Sequence, residues 1–94
     1  MTTLAVSFTN FGPYHLARLR ALAGRLDREG GRLIAYETAG ADNKYAWRID
    51  RTTEPFEWVT LFPDAALESI PASACTRAMF EALERDQPDA VGLV

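Results

Sequence analysis

The sequence predicts a three-layer α/β domain, in which a parallel β-sheet lies between helices. Two observations carry this prediction. Short apolar runs typical of strands buried on both faces alternate with longer segments whose apolar residues recur every three or four positions. Glycine and proline stand at the junctions, where such elements end. A chain of 94 residues has room for one small hydrophobic core, so we expect a single domain.

The first strand and helix follow from residues 4–30. Leu4 to Phe8 form a nearly continuous apolar run, which predicts a strand covered on both faces. Gly12 and Pro13 end this run, and proline is favoured at the first position of a helix. Glycine at position 30 is a typical helix stop. The segment between Pro13 and Gly30 has one apolar helical face, made of Leu16, Leu19, Leu22, Ala23 and Leu26.

The later elements repeat this alternation. In order, they are a strand over 32–37, a long loop over 38–55, a strand over 56–62, a connector over 64–71, a helix from Pro71 and Ser73 to about Arg85, and a strand over 90–94. The apolar positions that we expect to face the sheet from this second helix are Cys75, Met79, Phe80, Ala82 and Leu83.

Strands that alternate with helices pair in parallel through right-handed crossovers. We predict a doubly wound, Rossmann-like sheet, in which about four strands lie in the order 3-2-1-4. In such a sheet the ligand crevice opens between the first and fourth strands. Because the fourth strand begins so near the last residue, we expect residues 1–94 to be part of a longer domain, truncated at Val94. The strand edge near Val94 would then pair with another copy of the chain or with another segment.

The charge distribution argues against a nucleic-acid partner. The net charge is −3, whereas nucleic-acid-binding domains usually carry a basic balance or face. Residues 1–52 hold 8 basic and 5 acidic side chains, and residues 53–94 hold 2 and 8. Arginines of the first helix cause most of this asymmetry. We interpret them as a solvated face, with a phosphate-binding or membrane-surface role as the alternative.

Several features bear on the compartment in which the protein works. We identify no secretory signal and no apolar run long enough to cross a bilayer. Cys75 is the only cysteine, so no disulfide can form within the chain. These features predict a cytoplasmic protein.

Common cofactor motifs are missing. The turn over 10–13 has one glycine, whereas the dinucleotide fingerprint needs three, and the phosphate-binding G-x-x-x-x-G-K-[ST] pattern does not occur. His15 is the only histidine, and only Cys75 could join it, so we predict no metal site.

Four side chains are candidates for ligand contacts. His15, near the start of the first helix, could hold a ligand hydroxyl or bond helix to sheet. Glu37 ends the second strand, where an acidic residue binds ribose hydroxyls in dinucleotide folds, and the alternative is a polar strand end. Tyr45 and Trp47 in the long loop could stack on a sugar ring or pack the loop against the sheet.

Several motifs together resemble a known family. They are FTNFGPYHLARLRAL at the first turn, then AYE, YAW and VTLFPD, and finally QPDAVGLV. This set resembles the N-terminal Rossmann-like domain of two-domain, GT-B-type glycosyltransferases, specifically bacterial group 1 (family 4) members with a YHxARL start. The similarity spans this whole chain and the first part of such an enzyme.

The resemblance implies transfer of a sugar from a nucleotide-sugar donor to a small or lipid-linked acceptor, across a cleft between two domains. In that family the N-terminal domain mainly holds the acceptor. Its first turn would line the cleft and approach the donor diphosphate through backbone N–H groups. That turn lacks the common glycine-rich form here. The predicted substrate-binding residues are Asn10, Gly12, Pro13, Tyr14, His15, Glu37, Tyr45 and Trp47.

The family's donor-binding domain and paired glutamates would follow Val94. No catalytic residue is therefore assigned, no cofactor is expected within these 94 residues, and the isolated chain is expected to transfer no sugar. Two other classes remain open. One is a non-catalytic Rossmann-like or flavodoxin-like module that binds a nucleotide or a protein, and the other is an interaction domain without a small ligand.

Overall fold

The computed structural model describes residues 2–8, 13–40 and 54–93, and in them the predicted α/β architecture is confirmed. Two elements extend further than predicted. The second strand runs to Ala39, and the second helix runs to Asp86. The elements in chain order are β1 (Thr3–Phe8), α1 (Pro13–Arg28), β2 (Arg32–Ala39), β3 (Glu57–Phe62), a 3-10 turn (Leu67–Ser69), α2 (Ala72–Asp86) and β4 (Ala90–Leu93).

The four strands form one parallel sheet in the order β3-β2-β1-β4, as predicted for a Rossmann-like fold. In the register, Ala5 of β1 lies beside Ile34 of β2 on one side and Val91 of β4 on the other. Glu37 of β2 lies beside Thr60 of β3. The carboxyl ends of β1 and β2 therefore meet at one edge of the sheet, where the first helix begins.

The helices cover opposite faces of the sheet. Leu33 and Ala35 of β2 pack in a cluster with Leu16, Leu19 and Ala23 of α1. The intervening residues Ile34 and Tyr36 point the other way and pack in a second cluster with Ala82 of α2. Because successive side chains of a strand point to opposite faces, this alternation gives the three layers.

The end of α1 is built by a glycine, as the sequence predicts. Gly30 has φ of +78°, a left-handed conformation that costs glycine little. The Gly31 N–H donates to the Leu26 carbonyl at 2.7 Å, and the Gly30 N–H to the Asp27 carbonyl at 3.0 Å. This paired bonding satisfies the last free carbonyls of the helix and turns the chain into β2.

An ion pair joins α1 to the chain that precedes β3. Arg20 donates from Nε and Nη2 to the two carboxylate oxygens of Glu54, at 2.8 and 2.5 Å. The Glu54 side chain is only 5% exposed. Two parallel bonds to a buried carboxylate fix the point at which the chain approaches the third strand.

One predicted core position of α2 is wrong. Phe80 is 65% exposed, whereas Ala82 is buried and Met79 and Leu83 are partly buried against the sheet. Two residues along a helix correspond to a rotation of about 200°, so Phe80 lies almost opposite Ala82. The centre of the buried stripe lies at Ala82, and Phe80 falls outside it.

The carboxyl end of α2 is followed by a strained residue, Gln87, whose replacement can be tested. Gln87 has φ of +48°, and its N–H donates to the Leu83 carbonyl at 2.8 Å. A side chain in this conformation costs about 1–2 kcal/mol relative to glycine. We expect Gln87→Gly to raise the free energy of unfolding by up to about 1 kcal/mol, after loss of the side-chain bond to the Glu84 carbonyl.

Chemical denaturation of the 94-residue chain measures this change. Gln87→Ala is the matched control, since it removes the same side-chain bond but keeps the strain, and it should lower stability. Equal effects of both substitutions would contradict the role assigned to the left-handed conformation.

Candidate functional site

The topology places the candidate site at the carboxyl edge of β1. From β1 the chain passes through α1 to β2 on one side, whereas β4 lies on the other side of β1. This is the point where connections leave in opposite directions, and parallel sheets open a ligand crevice there. The first turn of α1 lies at this edge of the sheet.

His15 lies in that first turn and is half-buried. Its ring packs in a tilted arrangement against Phe8, the last residue of β1, with 4.6 Å between ring centroids and 34° between planes. The contact joins the end of the strand to the start of the helix and fixes the imidazole at the edge of the sheet. Imidazole nitrogens can donate or accept a hydrogen bond from a ligand hydroxyl.

Tyr14 extends this aromatic surface towards solvent. Its ring meets the His15 ring edge-on, with 6.3 Å between centroids, and it is 67% exposed. The Arg18 guanidinium carbon lies 4.9 Å from the Tyr14 ring centroid, a cation–π contact. Phe8, His15, Tyr14 and Arg18 thus form a continuous series of contacts at the start of α1, which we call the helix-start cluster.

The helix-start cluster also lies in a favourable field for an anion or a polar group. The first turn of α1 contains no acidic residue, and two basic residues, Arg25 and Arg28, lie in its last turn. The positive end of the helix dipole therefore lies at this edge of the sheet, and the first turn of α1 adds no carboxylate to oppose it. An aromatic surface beside this helix end suits a ligand with C–H faces and hydroxyl groups.

Glu37 is completely buried at the carboxyl end of β2. Its Oε1 accepts a hydrogen bond from the Thr60 hydroxyl at 3.0 Å and from Trp58 Nε1 at 3.4 Å. Both donors belong to β3. A ligand that contacts the Glu37 carboxyl group would have to compete with these two donors.

Sequence reasoning missed Phe8, Trp58 and Thr60 as parts of this region. Trp58 and Thr60 occupy alternate positions of β3, so both face the same side of the sheet. The sequence alone could have shown that Trp58 and Thr60 place two hydrogen-bond donors on the same face of a strand. It could not show that Glu37 accepts from both, because that depends on the pairing of β2 with β3.

The remaining predicted site residues divide between two cases. Pro13 is the first residue of α1, as predicted. Asn10, Gly12, Tyr45 and Trp47 lie outside the described residues. The structure therefore brings together His15 and Tyr14 with Phe8, and it separates Glu37 from solvent.

A groove lies on the opposite face of the sheet, beside the first half of α2. It encloses about 300 Å³ and is open to solvent on one side. Its lining is mostly apolar and consists of Thr38, Cys75, Thr76, Met79, Phe80 and Leu83. The groove belongs to the other helical layer and shares no residue with the helix-start cluster.

Within the described ranges, no three His, Cys, Asp or Glu side chains come close enough together to hold a metal ion. Among the described helices, none combines the length and the apolar character needed to cross a membrane.

No family model, curated protein or solved structure matches this chain. The case for its function therefore rests on the geometry at the start of α1 and on the sequence motifs that meet there.

Proposed function

We propose that this chain forms the acceptor-side wall of a glycosyltransferase, which transfers a sugar from a nucleotide-sugar donor to an acceptor. The observation that carries the proposal is the ring contact of His15 with Phe8 at the carboxyl end of β1. The histidine of the YHxARL-like motif thus lies at the carboxyl edge of the strands, the edge at which Rossmann-like sheets bind ligands.

The chemistry of the cluster supports an acceptor rather than a nucleotide as the ligand. Ring faces suit the C–H surface of a sugar, and the His15 imidazole can bond a hydroxyl. The glycine-rich turns that bind diphosphates in dinucleotide and P-loop proteins do not occur in the sequence. In the proposed enzyme, the donor and the groups that perform transfer belong to a second domain.

A binding experiment on the 94-residue chain tests this assignment. We expect methyl glycosides, added as acceptor probes, to shift the NMR signals of His15, Tyr14 and Phe8. His15→Ala should weaken this binding about ten-fold, close to the upper value for one lost hydrogen bond. Cys75→Ala is the matched control, because this residue lines the groove on the opposite face and its removal should leave the affinity unchanged.

Three results would contradict the proposal. Saccharide affinity that is unchanged in His15→Ala would make the histidine purely structural. Binding of UMP or ATP without binding of any glycoside would favour a nucleotide-binding module. Turnover of UDP-glucose by this chain alone would place the catalytic groups within these residues.

A further inference from the structure

The outward face of α1 carries three arginines and a tyrosine in one line. Tyr14, Arg18, Arg25 and Arg28 are all exposed. At about 100° per residue, these four side chains fall within roughly 40° of a common direction, opposite the face buried by Leu16, Leu19 and Ala23. We call this line the arginine stripe. It runs about 21 Å along the helix.

Most of the positive charge of the stripe is not balanced by an ion pair with a carboxylate of the described residues. Arg18 and Arg28 form no ion pair within the residues that the structure describes, and the Arg18 guanidinium lies over the Tyr14 ring. Arg25 lies 3.8 Å from Glu29, but both side chains are well exposed, so this pair is weak. Arg20 differs from them, because it is turned away from the stripe and bonded to Glu54.

We propose that the arginine stripe is a docking surface for a membrane containing anionic phospholipids. Arginines near such a surface are attracted by its negative potential, and a tyrosine is favoured at the boundary between headgroups and acyl chains. A straight helix that presents its cations along one line can place all of them on a flat surface at once. This inference does not depend on the proposed function.

The charge of the rest of the chain favours a flat partner over a nucleic acid. The net charge is −3, and residues 53–94 hold 8 acidic side chains against 2 basic ones. Among these acidic residues, Glu54 is already paired with Arg20 of α1. Three others, Glu81, Glu84 and Asp86, belong to α2 and lie on the other side of the sheet from α1. At physiological salt the screening length is about 8 Å, so a membrane that touches α1 is largely screened from them.

Sedimentation with lipid vesicles tests the proposal. The 94-residue chain should bind vesicles of phosphatidylcholine mixed with phosphatidylglycerol and should not bind vesicles of phosphatidylcholine alone. Added salt should weaken the binding. Arg28→Gln should lower the partition coefficient about five-fold, the usual effect of one arginine near an anionic surface.

Arg77→Gln is the matched control. Arg77 is also exposed, lies on α2 and forms no ion pair in the described part of the chain. Its replacement changes the net charge by the same amount and should leave vesicle binding unchanged. Circular dichroism of both variants would verify that each helix remains folded.

Equal losses in the two variants would overturn the proposal, because net charge rather than the stripe would then control binding. Equal binding to both kinds of vesicle would overturn it as well. So would binding to a duplex RNA oligonucleotide without binding to anionic vesicles, since that result would identify a nucleic-acid surface.

Discussion

Replacing Gly40 with alanine should lower the free energy of unfolding by about 1–3 kcal/mol, the usual cost of forcing extra volume into a packed site. Gly40 follows β2, and its N–H donates to the Phe62 carbonyl at 3.0 Å. A Cβ atom added there would lie 2.6 Å from the Pro63 carbonyl oxygen and 3.0 Å from its Cα. Both neighbours are backbone atoms, so relief requires the chain just after β2 to move away from the chain just after β3.

Gly24→Ala is the control for this prediction, and it should have the opposite sign. Gly24 lies in the middle of α1, and a Cβ atom there would have nothing within 4 Å. Alanine in an exposed helix interior stabilises by about 0.5–1 kcal/mol relative to glycine. Urea denaturation of both variants measures the two changes. A stability loss in Gly24→Ala similar to that in Gly40→Ala would contradict the close-approach argument.

Replacing Tyr36 with phenylalanine should cost about 1.5–3 kcal/mol at neutral pH, the range for a hydrogen bond to a charged group. Tyr36 is completely buried on the α2 face of β2, and its hydroxyl donates to Asp86 Oδ2 at 2.5 Å. The bond ties the last turn of α2 to the centre of the sheet. Arg85 also donates to both Asp86 oxygens, each at 2.9 Å.

Tyr14→Phe is the matched control, since it deletes the same hydroxyl from an exposed ring. Tyr14 is 67% exposed, and its ring contacts with His15 and Arg18 would remain in the variant. Its stability should change by less than about 0.5 kcal/mol. A comparable loss in both variants would show that the bond to Asp86 contributes nothing specific.

The Tyr36 hydroxyl should also make the free energy of unfolding depend on pH in the alkaline range. Burial, followed by the bond to Asp86, raises the pKa of Tyr36 well above its usual value. The unfolded chain therefore loses this proton first, at about pH 10, and stability falls as the pH rises beyond that point. The difference between the wild-type chain and Tyr36→Phe should shrink above about pH 10, because the variant cannot titrate there.

At acid pH, the free energy of unfolding depends on the carboxyl group of Asp86. Hydrogen bonds from the Arg85 guanidinium lower the pKa of Asp86, burial opposes them, and the Tyr36 hydroxyl lowers it further. A depressed pKa in the folded state gives stability above the unfolded value of about 3.9, and this stability is lost as the pH falls below it. Denaturation curves recorded from neutral to acid pH should show this decline.

These predictions bear on the proposed site in different ways. Gly40 and Pro63 lie at the carboxyl edge of the sheet, the edge at which His15 packs against Phe8. Asp86 lies at the end of α2, and the next strand, β4, pairs through its first residue with Leu4 near the start of β1. We therefore expect Gly40→Ala to disturb ligand contacts more than Tyr36→Phe does at equal loss of stability.

The order of elements was predictable because it follows from local patterns, and the strand order was predictable because this alternation of strands and helices is typical of a doubly wound, Rossmann-like sheet. Apolar spacing identified the buried face of α1 at Leu16, Leu19 and Ala23, and the structure confirms it. The Rossmann-like arrangement then predicted the order β3-β2-β1-β4, which the structure confirms. The same spacing failed at Phe80, because an apolar residue beside a buried stripe satisfies the pattern whether or not it faces the sheet.

By itself, the sequence determined the α/β class, the order of the elements along the chain, the start of α1 at Pro13 and its stop at Gly30. Only the tertiary structure decided the partnerships of Glu37 with Thr60 and of Tyr36 with Asp86. The physical reason is distance along the chain. Periodicity reports which way a side chain points within its own element, whereas strand pairing and helix packing decide which residue it meets.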